Sequence, residues 1–138
     1  SPDFSTLIAS SMSAYTAIKL TEIFPIKNLI LMVPAVYTSK AYTLTFGSSF
    51  SKTIREENSW LDSDAFSILK EFKGNLLILA AQNDEVIPPL VLERIYSSAS
   101  SAKSKKLHIV PNGEHRNLFP KTCDFDLGLD LIHTMSKT

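Results

Sequence analysis

Two short runs carry no polar side chain at all: Leu29-Ile30-Leu31-Met32-Val33 and Leu76-Leu77-Ile78-Leu79-Ala80-Ala81. A strand that is apolar at every position is buried on both faces, the condition found inside a parallel sheet covered by helices. Two more segments read as strands, Leu7-Ile8-Ala9 near the start and Lys106-Leu107-His108-Ile109-Val110 later. Between and after them the apolar residues change to a helical period. Ala14, Ala17, Ile18 and Leu20, followed by Ile23 and Phe24, make the first such stretch. Ala65, Phe66, Ile68, Leu69 and Phe72 make the second, with Asp62-Ser63-Asp64 as its cap and Gly74-Asn75 as its stop. Pro88-Pro89 opens the third, which presents Val91, Leu92, Ile95 and Tyr96. Leu127 to Met135 forms the last. Strands alternating with helices predict an α/β domain, a parallel sheet with helices on both faces. Residues 1–138 are taken as one partial domain. It carries a polar, Ser/Thr-rich excursion at about residues 37–60 that has no clear period and reads as a small lid.

Composition narrows the function classes. Lys plus Arg and Asp plus Glu both number 14, so the formal charge is zero. That balance gives no basic stripe for nucleic acid and no polybasic segment for an anionic membrane. The longest apolar run, Leu29 to Val36, is too short to span a bilayer. The single cysteine, Cys123, excludes an internal disulfide and a cysteine zinc site, and reads as an inert thiol. The four glycines are scattered, so there is no glycine-rich phosphate loop. Neither a metal nor a cofactor is expected. The chain opens on Ser1 and enters a strand almost at once, which suggests a piece of a longer protein. Its location is left open, with the cytoplasm favoured.

In an open α/β sheet, ligands bind beyond the carboxyl ends of the strands. Three reactive side chains fall there: Ser11 after the first strand, Asp84 after the third, His115 after the fourth. Ser11 sits in Ala9-Ser10-Ser11-Met12-Ser13, between a strand and a helix. A serine at such a turn needs small residues two before and two after it, because the two backbones nearly touch. Ala9 and Ser13 meet that need less freely than glycine. Ser10 is the competing serine, but it would put the bulky Ile8 and Met12 at the crossing positions. Glu85 is the competing acid, and Asp84 fits the loop better.

With these three segments the chain resembles the C-terminal half of the α/β-hydrolase superfamily, over essentially its whole length. The resemblance rests on Ala9–Ser13, on Leu79-Ala80-Ala81-Gln82-Asn83-Asp84-Glu85-Val86-Ile87-Pro88, and on Pro111-Asn112-Gly113-Glu114-His115-Arg116-Asn117, in the order nucleophile, acid, histidine. It implies a serine hydrolase that acts on an ester, thioester or amide through an acyl-enzyme. Ser11 is then the nucleophile, His115 the base and Asp84 its orienting acid. The Met12 N–H is one oxyanion donor, and the second comes from a loop upstream of Ser1. The alternative reading is a catalytically inactive half-domain that serves as an interaction module.

The remaining residues take plainer roles. His108, in mid-strand, is read as packing and His133 as solvated, as is the Glu56-Glu57 pair. The aromatics between residues 42 and 60 either line an acyl pocket or pin the excursion to the core. By the same resemblance the first strand has lost a neighbour, so Leu7 and Ile8 lie on an open, apolar edge. The expected partners are a small acyl substrate and, on that edge, the upstream half of the same protein or a second copy.

Overall fold

A row of hydrogen-bonded polar side chains runs across the start of all four strands. The computed structural model describes residues 5–136; Phe4 and Ser1 lie outside the described residues. The strands are β1 (Thr6–Ser10), β2 (Asn28–Met32), β3 (Asn75–Ala81) and β4 (Ser104–Val110), all parallel and in the order β1-β2-β3-β4. Thr6, Asn28, Asn75 and Ser104 are register partners in turn. The Ser104 hydroxyl donates to Asn75 Oδ1 at 2.7 Å, Asn75 Nδ2 donates to Asn28 Oδ1 at 2.9 Å, and Asn28 Nδ2 donates to Thr6 Oγ1 at 3.1 Å. Asn28 and Asn75 are buried, 4% exposed each, so their amides need these partners.

The two apolar runs form the middle strands. Every residue of β3 is buried, and so are Leu29, Ile30 and Leu31 of β2. On one face Leu29, Leu31, Leu76 and Ile78 pack against α1 (Ser13–Leu20), α3 (Ala65–Glu71) and α4 (Pro89–Ser98). On the other, Ile30, Leu77 and Leu79 pack against Leu118, Phe119 and the Leu131, Ile132 and Met135 side of α5 (Thr122–Ser136). Helices therefore cover both faces, as expected. Among the described residues no helix is long and apolar enough to cross a membrane.

Several boundaries differ from the sequence expectation. The short apolar run of the first strand would by itself read as buried, yet Ile8 is 49% exposed, because β1 pairs only with β2 and lies at the edge of the described sheet, where the resemblance puts it. Helix α1 ends at Leu20 and does not reach Ile23 and Phe24, which are 71% and 37% exposed. Thr21 turns its hydroxyl onto the Ile18 carbonyl, and Pro25 bars Phe24 from helical backbone. The excursion is not formless. It holds a 3₁₀ turn at Ser39–Thr43 and α2 (Ser48–Arg55), a helix with no buried residue. Strand β4 starts at Ser104, two residues early, and α5 starts at Thr122. His108 stands opposite Leu79 in the register, and its Nε2 is buried without a partner among the described residues. Cys123 is exposed and unpaired.

The Asp62-Ser63-Asp64 cap also works differently. Ser63 Oγ accepts the Ala65 N–H at 3.3 Å, while Asp64 makes no side-chain cap bond. Its carboxylate instead takes the Tyr15 hydroxyl and, at 2.6 Å, Lys19 Nζ. Lys19 Nζ also lies 4.8 Å from the Tyr42 ring, so one cation ties α1 and α3 to the excursion. Burial raises the Asp64 carboxyl, but the Lys19 and Tyr15 hydrogen bonds and the Lys19 charge outweigh it and hold the group below its ordinary 3.8. Burial, with the Asp64 hydrogen bond and charge, holds the Tyr15 phenol well above its usual range.

Two outcomes follow for stability. Asn28→Ala strips the acceptor from a buried Asn75 amide and the donor from Thr6, at about 1–3 kcal/mol. Urea unfolding should show a lower midpoint with an unchanged slope, and an unmoved midpoint removes the ladder from the account. A carboxyl with a depressed folded-state pKa adds stability that is present above its unfolded value and is lost as the pH falls through the folded one. The stability gap between wild type and Asp64→Asn should therefore hold at about pH 6 and shrink below about pH 4. A gap that stays constant into acid assigns the effect to packing and not to charge.

Candidate functional site

The parallel register sets the carboxyl ends of β1, β3 and β4 at one rim, and each is followed by a loop with its own local cause. Ser11 follows β1 with φ 51°, in the left-handed region that non-glycine residues rarely occupy. Such a conformation costs about 1–3 kcal/mol and persists only where neighbours hold it. Here the Ser11 N–H donates to the Met32 carbonyl at 2.9 Å, and its own carbonyl accepts from Ala14 N at 3.1 Å and Ala35 N at 3.0 Å. Ser13 supplies a clip that glycine could not. Its Oγ accepts the Ser10 N–H at 3.0 Å and donates to the Ser10 carbonyl at 2.7 Å. Ala9, two before Ser11, is buried.

Asp84 closes a turn after β3 in which its Oδ1 accepts the N–H groups of Val86 and Ile87 at 2.8 and 3.0 Å. That fixes one oxygen and leaves Oδ2 directed elsewhere. His115 stands at the tip of a short hairpin, closed by the Glu114–Asn117 pair through two backbone bonds of 3.0 and 3.1 Å. The two loops are stitched together. Gln82 N donates to the Val110 carbonyl at 3.1 Å, Asn83 N to the Gly113 carbonyl at 2.8 Å, and Gln82 Oε1 accepts Asn112 N at 2.8 Å.

The three side chains meet. Ser11 Oγ lies 2.8 Å from His115 Nε2, and His115 Nδ1 lies 3.1 Å from Asp84 Oδ2. The Asp84 side chain is 5% exposed and that of His115 14%, so the chain of bonds is shielded from water everywhere but at the serine end. An ionised carboxylate only accepts, so Nδ1 carries the ring hydrogen in the neutral imidazole and Nε2 is left to accept from Ser11. Ser10 makes no bond to His115, and Glu85 is exposed. Met12 follows Ser11 at the N-terminus of α1, and its N–H has no acceptor among the described residues. Among the described residues no three His, Cys, Asp or Glu side chains cluster as metal ligands.

The fold recurs in solved structures. A monoacylglycerol lipase from Paleococcus ferrophilus superposes with a TM-score of 0.68 at 15% identity, over 96% of this chain and 68% of that one. MGS-MChE2, an alpha/beta hydrolase enzyme from a lagoon-sediment metagenome of Mar Chica, Morocco, gives 0.67 at 16%, over 99% and 64%. This chain has the α/β-hydrolase fold. A CIB-like hydrolase of Thermoplasma acidophilum gives 0.65 at 18%, over 96% of this chain and 52% of that one. The chain thus spans about half to two thirds of the length of these α/β-hydrolase structures. Identities this low carry the fold and not the reaction. No protein-family model matches the sequence, and no curated protein matches it either.

Sequence reasoning named Ser11, Asp84, His115 and Met12 but passed over the residues that hold them. Gln82 looked like one more polar loop residue, and its reach across to Asn112 leaves no mark in the sequence. Ala35, whose N–H holds the Ser11 carbonyl, sits in an apolar stretch that says nothing about its backbone. The Asn112-Gly113 pair did carry a signal. Asn112 has φ 56°, as a turn asparagine often does, and a Cβ on Gly113 would lie 2.7 Å from the Leu118 carbonyl oxygen.

That clash generates a prediction. Gly113→Ala must shift the base of the histidine hairpin, because the obstructing atom is backbone. It should cost about 1–3 kcal/mol and broaden or shift the His115 ring signals in NMR, while signals of the α1 core stay in place. Unmoved His115 signals show that the hairpin takes its position from other contacts.

Proposed function

We propose that this chain carries the catalytic half of a serine hydrolase that cleaves an ester, thioester or amide through an acyl-enzyme. One observation carries the proposal: a serine held in strained backbone at a strand–helix turn, within hydrogen-bond reach of an imidazole whose far nitrogen faces a buried carboxylate. In that geometry Ser11 is the nucleophile at the tip of a nucleophile elbow, and Ser11, His115 and Asp84 form a catalytic triad. Hydrolase neighbours of the same fold support the hydrolase class, and the residue roles rest on the geometry alone.

The chemistry runs in two halves. Ser11 Oγ attacks the acyl carbonyl carbon while His115 Nε2 takes the hydroxyl proton. The carbonyl π pair moves onto oxygen, and the Met12 N–H is placed to receive that charge. When the carbonyl re-forms, the leaving group departs with the proton from His115, and the acyl group stays on Ser11. Water then repeats the sequence, its proton going to His115, and releases the acid and free Ser11. Asp84 keeps the ring in the tautomer that leaves Nε2 free and stabilises the imidazolium in each half.

Two wider readings rest on the same proposal. The excursion at residues 37–60 acts as a small lid. The open edge of β1, at Leu7 and Ile8, takes the rest of an α/β-hydrolase sheet, from the same protein or a second copy.

In the full-length protein, Ser11→Ala should lower kcat on a small aryl ester by about 10⁴–10⁶-fold and abolish labelling by a fluorophosphonate, with folding intact. Asp84→Asn should lose about 10⁴-fold. Full labelling or turnover by Ser11→Ala removes the nucleophile assignment. A wild-type protein that neither labels nor turns over points instead to an inactive interaction module.

A further inference from the structure

Two cavities flank Tyr37, and their walls differ in chemistry. One, of 370 Å³, begins at Met12 and runs beneath the excursion past Tyr15, Tyr42, Leu44, Phe46 and Phe50; no charged residue lines it. The other, of 580 Å³, has Arg55, Glu56 and Glu57 on one wall and Val86 and Ile87 on the other. Tyr37 belongs to both and divides them.

The two cavities border different parts of the triad's loops, one the acid turn and the other the turn after Ser11. Val86 and Ile87 are the residues whose N–H groups hold Asp84 Oδ1, so the larger cavity borders the acid turn, whose Asp84 in turn bonds His115. The smaller one starts at the residue after Ser11, on the α1 side. In an acyl transfer the leaving group must lie against the histidine that protonates it, and the acyl group must point away from it. Phe46 adds a second observation. It is 82% exposed at the smaller cavity, with its ring edge-on to Phe50 at 4.9 Å. An apolar ring held in water at the mouth of an apolar cavity gains by closing over an apolar chain.

We propose that the cavity beneath Phe46 and Phe50 takes the acyl group of the substrate, an uncharged aliphatic chain of medium length, and that the cavity bordered by Arg55, Glu56 and Glu57 takes the leaving group. The proposal rests on the serine-hydrolase reading. A volume near the lower end of the roughly 300–1,000 Å³ usual for ligand sites suits a medium chain and not a long one. Met12 then has two parts, its N–H toward the carbonyl oxygen and its side chain along the first carbons of the chain. Phe50 sets the far wall. A carboxylate at the end of the acyl chain would enter a site with no charged residue in its lining, and Lys19, behind the Tyr42 ring, is already paired with Asp64, which disfavours such a chain.

The test holds the leaving group constant and varies the acyl chain: p-nitrophenyl acetate, butanoate, octanoate, palmitate and hemisuccinate, with the full-length protein. A methylene seated in the cavity raises kcat/KM by up to about four-fold, so octanoate should exceed acetate by at least about ten-fold. Palmitate should fall back, and hemisuccinate should be far poorer than butanoate. Phe50→Ala, in a helix without buried residues, should cut the octanoate-to-acetate ratio by about ten-fold. Leu44→Trp, which fills the cavity, should move the optimum to butanoate. Turnover that is lost in Ser11→Ala yet equal for acetate, octanoate and hemisuccinate overturns the acyl assignment and leaves the serine reading standing. Ratios unchanged in both cavity variants do the same. Turnover that survives Ser11→Ala, or none at any chain length, overturns the serine reading and this proposal with it.

Discussion

The ladder from Ser104 through Asn75 and Asn28 to Thr6 fixes how the four strands sit against one another. Side chains alternate faces with a period of two, so a slip of one residue would turn every apolar side chain of a strand to the wrong side. In β2 and β3 that would do little harm by itself, because both faces are apolar and both are covered. Hydrophobic burial alone therefore leaves the register of the two central strands weakly specified. The buried amides remove the ambiguity. A slip would leave two of them unpaired at about 1–3 kcal/mol apiece, a large share of the margin by which a domain of this size is stable.

Setting the register at the amino ends also levels the carboxyl ends, and the site depends on that level. Ser11 N reaches the Met32 carbonyl at the end of β2, and Val33 N reaches the Leu79 carbonyl near the end of β3. Both residues are in the left-handed region, Ser11 at φ 51° and Val33 at φ 40°. Val33 is the costlier of the two, being β-branched. Strain of about 1–3 kcal/mol at each of two residues would unwind a loop held by water alone. Each is held by backbone bonds worth about 1 kcal/mol net, and Val33 is in addition buried, at 2% exposure. Strain and restraint are thus of the same order. The serine hydroxyl keeps its place because the sheet beneath it cannot shift.

The sequence revealed the fold through its strongest local signal, the two runs with no polar residue, and the candidate site through three residue types at the ends of the first, third and fourth strands. Backbone reach was not legible. Ala35, Gln82 and Asn112 act mainly through N–H groups or one amide oxygen, and those contacts depend on loops that meet only after folding. The ladder escaped notice for a related reason. Thr, Asn and Ser next to a strand read as turn residues, and Asn75 stood as part of a helix stop in that reading. Asp64 was assigned by its local preference for capping, and a tertiary ion pair with Lys19 took the carboxylate instead. Helix α2 buries nothing, so no apolar stripe of its own announced it.

Stability and chemistry occupy opposite ends of the same four strands. The amino ends carry the polar ladder and short connections, with backbones so close that a Cβ on Gly74 would lie 2.3 Å from the Lys27 carbonyl oxygen. The carboxyl ends carry the long excursion, the acid turn and the histidine hairpin. Because the excursion inserts between β2 and β3, it stands over the middle of the rim, and its residues can reach both sides of Tyr37. It is tied down by Lys19 between Asp64 and Tyr42, and by Tyr15 against Tyr37 and Tyr42, while α2 rests on the surface. A segment anchored through a few polar and aromatic contacts can change its far wall without disturbing the strands. Substitutions at Leu44, Phe46 and Phe50 thus alter the cavity at little cost in stability, whereas substitutions at Asn28 or Gly74 reach the site only by moving the whole sheet.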